Sequence, residues 1–106
     1  MYNFIVNPKA GSGKGLKIWK AIARYMESHN IEYEVFLTEG IGDARTAAMR
    51  LTDSHDEPRY IIAVGGDGTM NEVLDGVSFH GPLSLGYIPA GSGNDLAGAF
   101  ACPDAP

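Results

Sequence analysis

A single cysteine, Cys102, occurs in the 106 residues, so no disulfide can form within the chain. Stability must come from packing, and the composition fits a reducing cytosol. Long hydrophobic runs are also missing. No stretch approaches the ~20 apolar residues that a membrane-spanning helix requires. Basic runs are absent, and 13 acidic residues outnumber 8 basic ones for a formal charge of −5. Long-range attraction to nucleic acid is therefore not expected, although a local cationic pocket is compatible with this balance. The opening segment MYNFIVNPKAG has no basic stretch followed by an apolar one, so no secretory signal is expected. The three histidines, His29, His55 and His80, lack metal-ligand spacing and read as loop or helix-end residues, so no protein metal ligands are assigned.

Glycine is abundant instead. The chain has 14 glycines, about twice the usual share of ~7%. They cluster as GSGKG at 11–15, GGDG at 65–68 and GSG at 91–93. The hydrophobic fraction of 44% is ordinary, and the length suits one compact domain.

Apolar periodicity divides the chain into alternating elements. YNFIV at 2–6, YEVFL at 33–37, RYIIAV at 59–64 and LSLGYI at 83–88 read as strands. Between them, Leu16, Trp19, Ala23 and Met26 recur at helical spacing. So do Ala44, Ala47, Ala48 and Leu51, and again Met70, Val73, Leu74 and Val77. A fourth helix is expected to open within Asn94–Ala101. Strict strand–helix alternation predicts an α/β fold, a three-layer α/β/α arrangement around a parallel sheet. Right-handed crossovers put the carboxyl ends of all strands on one edge. The glycine clusters follow the first, third and fourth strands, so all three are expected at that edge, where open α/β sheets bind ligands.

The clusters do not match the common glycine fingerprints. GxGxxG would need glycine at Leu16, Asn71 or Leu96. A P-loop aligned on Gly13-Lys14 would need glycine at Pro8 and Ser/Thr at Gly15. A response-regulator site would need an acidic pair where Asn7 stands. What remains has two readings at each point. Asn7-Pro8-Lys9-Ala10-Gly11 either turns its backbone N–H groups and the Asn7 amide toward phosphate or merely ends a strand. Thr69-Met70-Asn71-Glu72 matches a capping box and can simply start a helix. That does not account for Asp67 among glycines, which can hold Mg²⁺, accept a hydroxyl proton or simply occupy a turn. In Pro89–Asp95, Ser92 and Asn94 can bond phosphate, or Asn94 and Asp95 can cap a helix. Thr38 ends the second strand at the same edge.

NPKAG at 7–11, GGDGTMNEV at 65–73 and PAGSGNDLA at 89–97, in this order, resemble the diacylglycerol kinase catalytic domain family, which includes bacterial lipid kinases and ceramide and sphingosine kinases. GGDGT alone is shared with NAD kinases and phosphofructokinase-like enzymes; the flanking motifs favour the lipid-kinase branch. Ser92 stands where the family often has Thr and keeps the hydroxyl.

The resemblance implies the NAD kinase/diacylglycerol kinase-like amino-terminal domain over 1–106, with ATP and Mg²⁺ at the carboxyl edge of the sheet. Asn7, Pro8, Lys9, Ala10 and Gly11 would touch the phosphates, with Thr38 near the nucleotide. Gly65, Gly66, Gly68, Thr69, Asn71 and Glu72 would wrap the phosphates and Ser92 would complete the pocket. Asp67 would be catalytic, orienting the base or Mg²⁺ or acting as base. The implied reaction moves the γ-phosphoryl group of ATP to a diacylglycerol-like lipid hydroxyl at a membrane surface, by a cytoplasmic, peripheral protein. The resemblance implies a second, β-rich domain after this one, and the 106 residues are expected to stop short of it. Little or no turnover is expected of the chain alone, and an apolar edge left uncovered would favour a homodimer. The alternatives are an NAD kinase-like phosphotransferase domain and a non-catalytic α/β binding module.

Overall fold

The computed structural model describes residues 1–53, 59–77 and 83–90. Four strands, β1 (Tyr2–Val6), β2 (Tyr33–Leu37), β3 (Arg59–Gly65) and β4 (Leu83–Pro89), form one sheet in the order β2-β1-β3-β4. All three pairings are parallel. The helices α1 (Ala10–Ser28), α2 (Asp43–Leu51) and α3 (Asp67–Gly76) connect them. The expected α/β fold with a parallel sheet is therefore present. The expected fourth helix, at 94–101, lies outside the described residues.

Successive side chains of β1 and β3 point to opposite faces, and both faces are covered. Phe4, Val6 and Val64 pack with Ile18, Trp19, Ile22 and Met26 of α1. Ile5, Ile61 and Ala63 pack with Ala44, Ala47 and Ala48 of α2 and Val73 of α3. Burial on both sides explains why these strands read as continuous apolar runs rather than alternating ones. The edge strand β2 is different. Glu34 through Leu37 are all exposed, because no described strand lies beyond them.

Two helices sit differently from their expected stripes. In α1 the buried positions include Ile18 and Ile22 beside Trp19 and Met26, while Leu16 and Ala23 pack at the margin of the core. In α3 the buried residues are Thr69, Val73 and Gly76, and Leu74 is 48% exposed. The cause is a close approach: a Cβ on Gly76 would collide with the Arg45 carbonyl of α2. That contact turns Gly76 inward and Leu74 outward. Among the described residues, no helix is long and apolar enough to cross a membrane.

Candidate functional site

The strand register aligns the carboxyl ends. Val6 pairs with both Leu37 and Val64, and Gly65 pairs with Pro89. The first residue after each of three strands then extends the ladder. Thr38 N–H donates to the Val6 carbonyl (2.8 Å), Asn7 N–H to Val64 (2.8 Å) and Ala90 N–H to Gly65 (2.9 Å). Thr38, Asn7, Gly65 and Pro89 thus stand in one row, with Ala90 one step beyond it. The chain leaves β1 toward β2 through α1, and reaches β3 on the other side through α2. The switch point falls between β1 and β3, where the first two glycine motifs meet; such a crevice is where open α/β sheets take ligands.

At the end of β1, Lys9 N–H donates to Asn7 Oδ1 (3.1 Å) and Ala10 N–H to the Asn7 carbonyl (3.2 Å). The Asn7 amide oxygen therefore shapes the turn. Gly11, Ser12 and Gly13 all have positive φ, at 61°, 60° and 100°, so regular helix begins only after them. At Gly11 the requirement is twofold: the left-handed backbone suits glycine, and a Cβ would collide with the Ala90 carbonyl. The first motif is thereby pressed against the start of the third. Gly91 to Ala97, including Ser92, lie outside the described residues.

At the end of β3, Gly66 is extended and is the N-cap of α3. Thr69 and Met70 N–H groups both donate to its carbonyl, at 3.1 and 3.3 Å. The N–H groups of Asp67 and Gly68 come before these first helical bonds and face outward from the helix start. The expected capping box does not form. The helix starts at Asp67, two residues before Thr69, and no side chain caps it. Thr69 is buried against Gly65 inside the first turn. Glu72 reaches away instead, and its Oε1 accepts the Gly42 N–H at 3.1 Å.

Asp67 is exposed and accepts a hydrogen bond from Tyr87 Oη at 3.3 Å. Burial first, then the Asp67 charge and this bond, raise the Tyr87 pKa above the usual phenol value of 10.0. Tyr87 is a residue that motif reading passed over. Its signal was positional, since β4 register sets it opposite Ala63, two residues before Gly65 in β3.

A cleft of about 350 Å³ opens along this edge. Of the expected site residues, Asn7, Lys9, Thr38, Gly68, Thr69 and Glu72 line it. Its far wall is the loop of Glu39, Gly40 and Ile41, closed below by Ala44; motif reading did not single out this wall beyond Thr38. Pro8, Ala10, Gly11, Gly65 and Gly66 build the turns without lining the cleft, and Asn71 is exposed on α3. Asp67, the neighbour of Gly68 in sequence, does not line the cleft; its carboxylate meets Tyr87 of β4. Among the described residues no three His, Cys, Asp or Glu side chains are grouped to hold a metal. A smaller groove of about 180 Å³, lined by Asn3, Phe36, Arg50 and Leu51 among others, shares no residue with the cleft.

The family model described as the diacylglycerol kinase catalytic domain matches residues 1–106. The chain is 37% identical over 98 residues to the YtlR protein of Bacillus subtilis (strain 168), covering 92% of this chain and 32% of that protein. It is 35% identical over 100 residues to a diacylglycerol kinase of Staphylococcus saprophyticus, covering 93% and 32%. The crystal structure of a diacylglycerol kinase from Bacillus anthracis str. Sterne matches with a TM-score of 0.65 at 26% identity, over 98% of this chain and 38% of that one. The chain thus spans about a third of the length of these relatives. With all three motifs inside the matched span, the chain belongs to the diacylglycerol kinase catalytic domain family.

Proposed function

We propose that this chain is the nucleotide-binding portion of an ATP-dependent lipid kinase. The protein would transfer the γ-phosphoryl group to a diacylglycerol-like hydroxyl, with peripheral association at a membrane surface. The observation that carries this reading is the single row of strand ends, which sets Asn7 beside Gly65 and puts Gly68 in the wall of the cleft.

The residues present suit a polyphosphate. A Cβ built on Gly66 or Gly68 would meet nothing within 4 Å, so glycine leaves open space through which phosphate can approach the backbone. The Asp67 and Gly68 N–H groups sit at the positive end of the α3 dipole and would donate to phosphate oxygens. Lys9 adds charge from the opposite turn, and Thr38 lies near the nucleotide. Pro8, Ala10, Gly11 and Gly65 hold the turns in place, Asn71 flanks them, and Ser92 is the proposed closing hydroxyl.

The described lining holds one cation, Lys9, against Glu39 and Glu72. ATP is therefore expected as its Mg²⁺ complex, held by the phosphates, with the exposed Asp67 beside Gly68 as the proposed carboxylate partner. Bound Mg²⁺ would supply charge neutralisation during transfer. Asp67 would orient that ion or the acceptor hydroxyl, and the backbone donors would fix the phosphates; phosphoryl transfer depends mainly on such positioning. Self-association is proposed to use β2, where Val35, Phe36 and Leu37 are exposed.

The test is a thermal-shift titration with Mg·ATP. Ligand at tenfold its Kd adds about 1.4 kcal/mol, or roughly 6–11 °C for a domain of this size. Gly68→Val should leave the ligand-free Tm nearly unchanged and abolish the shift. An equal shift in both proteins, or none at millimolar nucleotide, contradicts the reading. Because little turnover is expected of these 106 residues alone, labelled ATP offered to the full-length parent protein with diacylglycerol vesicles or with NAD then reads the acceptor.

A further inference from the structure

Glu72 sits at the cleft, where a carboxylate would repel a nucleotide's phosphates. Its bonding shows another use. Glu72 Oε1 accepts the N–H of Gly42, 30 residues away in sequence, at 3.1 Å. Gly42 is the left-handed N-cap of α2 (φ 93°, ψ −16°) and ends the 38–42 loop that forms the far wall. A second carboxylate secures the rest of that loop: Asp43 Oδ2 accepts from Glu39 N–H at 2.7 Å and Gly40 N–H at 2.9 Å. Thr38 N–H is tied to Val6 in the sheet. Four of the five amides from 38 to 42 are thus committed to the protein itself, and the Ile41 side chain projects fully into solvent.

Glu72–Gly42 is the bond among these that ties the loop to α3. It joins the wall of the cleft to the element that carries Asp67 and Gly68. We propose that Glu72 is a positioning residue: it sets the width of the cleft by anchoring the 38–42 loop to α3, and it contacts neither phosphate nor metal. Its charge is spent on a backbone donor, in a charge-assisted bond stronger than a neutral one. The consequence for nucleotide affinity rests on the function proposed above, whereas the anchoring does not.

The experiment compares Glu72→Ala and Glu72→Gln with the parent chain. The amide oxygen of glutamine can still accept from Gly42, but it carries no charge. Amide hydrogen exchange at Gly42 should accelerate by about tenfold or more in the alanine variant, as expected for losing a bond to a charged acceptor. It should return most of the way to the parent rate in the glutamine variant. Mg·ATP affinity should follow the same order, falling several-fold with alanine and recovering with glutamine. Unchanged exchange at Gly42 in Glu72→Ala overturns the proposal. So does a glutamine variant that protects Gly42 yet binds Mg·ATP as weakly as alanine, because the carboxylate charge would then act on the ligand. If the parent chain binds no nucleotide, the function proposed above fails, and the Gly42 exchange rates alone decide the anchoring.

Discussion

A Cβ built on Gly65 would stand 3.2 Å from the Cβ of Asn7, so the ends of β3 and β1 abut at the switch point of the sheet. The same Cβ would lie 2.5 Å from Thr69 Oγ1 and 2.9 Å from Thr69 Cβ. Gly65→Ala must therefore push Asn7 or Thr69 aside, and overpacking of this kind costs about 1–3 kcal/mol. Gly66→Ala has open space and an extended backbone, and should change stability by no more than about 0.5 kcal/mol. Urea unfolding of the two variants tests this ordering. Equal stabilities would mean that Gly65 is not packed against Thr69 and Asn7 as described.

The Tyr87 phenol should report on Asp67. Burial, the Asp67 charge and their hydrogen bond all raise its pKa above 10.0. The folded-state pKa exceeds the unfolded one, so the associated stability is complete below pH 10 and is lost as pH rises through the raised value. Asp67→Asn removes the charge but not the burial. The Tyr87 titration, followed by NMR of the phenol carbon, should move down toward 10 without reaching it. A titration indifferent to Asp67 would show that the two side chains do not face each other in solution.

The rotation of α3 can be read from two neighbouring positions. Val73 is fully buried between the sheet and α2, whereas Leu74 is 48% exposed. Val73→Ala should cost about 1.5–3 kcal/mol, and Leu74→Ala no more than about 0.5. Chemical denaturation of both variants measures the difference. The reverse order would restore the stripe that periodicity alone predicts.

Much of this arrangement was legible before any coordinates. Alternating strands and helices implied a parallel sheet, and the glycine clusters after strands implied one populated edge. NPKAG, GGDGT and PAGSGND pointed to the family. Side-chain destinations were less legible. Thr69 and Glu72 match a capping box by spacing, but Gly66 lets the helix begin at Asp67, which leaves Glu72 to reach a partner 30 residues away. Leu74 fits the apolar period, yet the contact of Gly76 with the Arg45 carbonyl rotates it outward. Tyr87 belongs to no motif and meets Asp67 only because β4 lies beside β3. Local spacing records helix and strand; contacts between distant segments depend on strand order, which spacing does not encode.

The most direct test of the central claim is an amide chemical-shift map of the chain titrated with Mg·ATP. The account predicts saturable changes at Lys9, Thr38, Asp67 and Gly68, at the carboxyl edge of the sheet. Changes confined to Asn3, Phe36, Arg50 and Leu51, around the other groove, or no change at millimolar nucleotide, would contradict it.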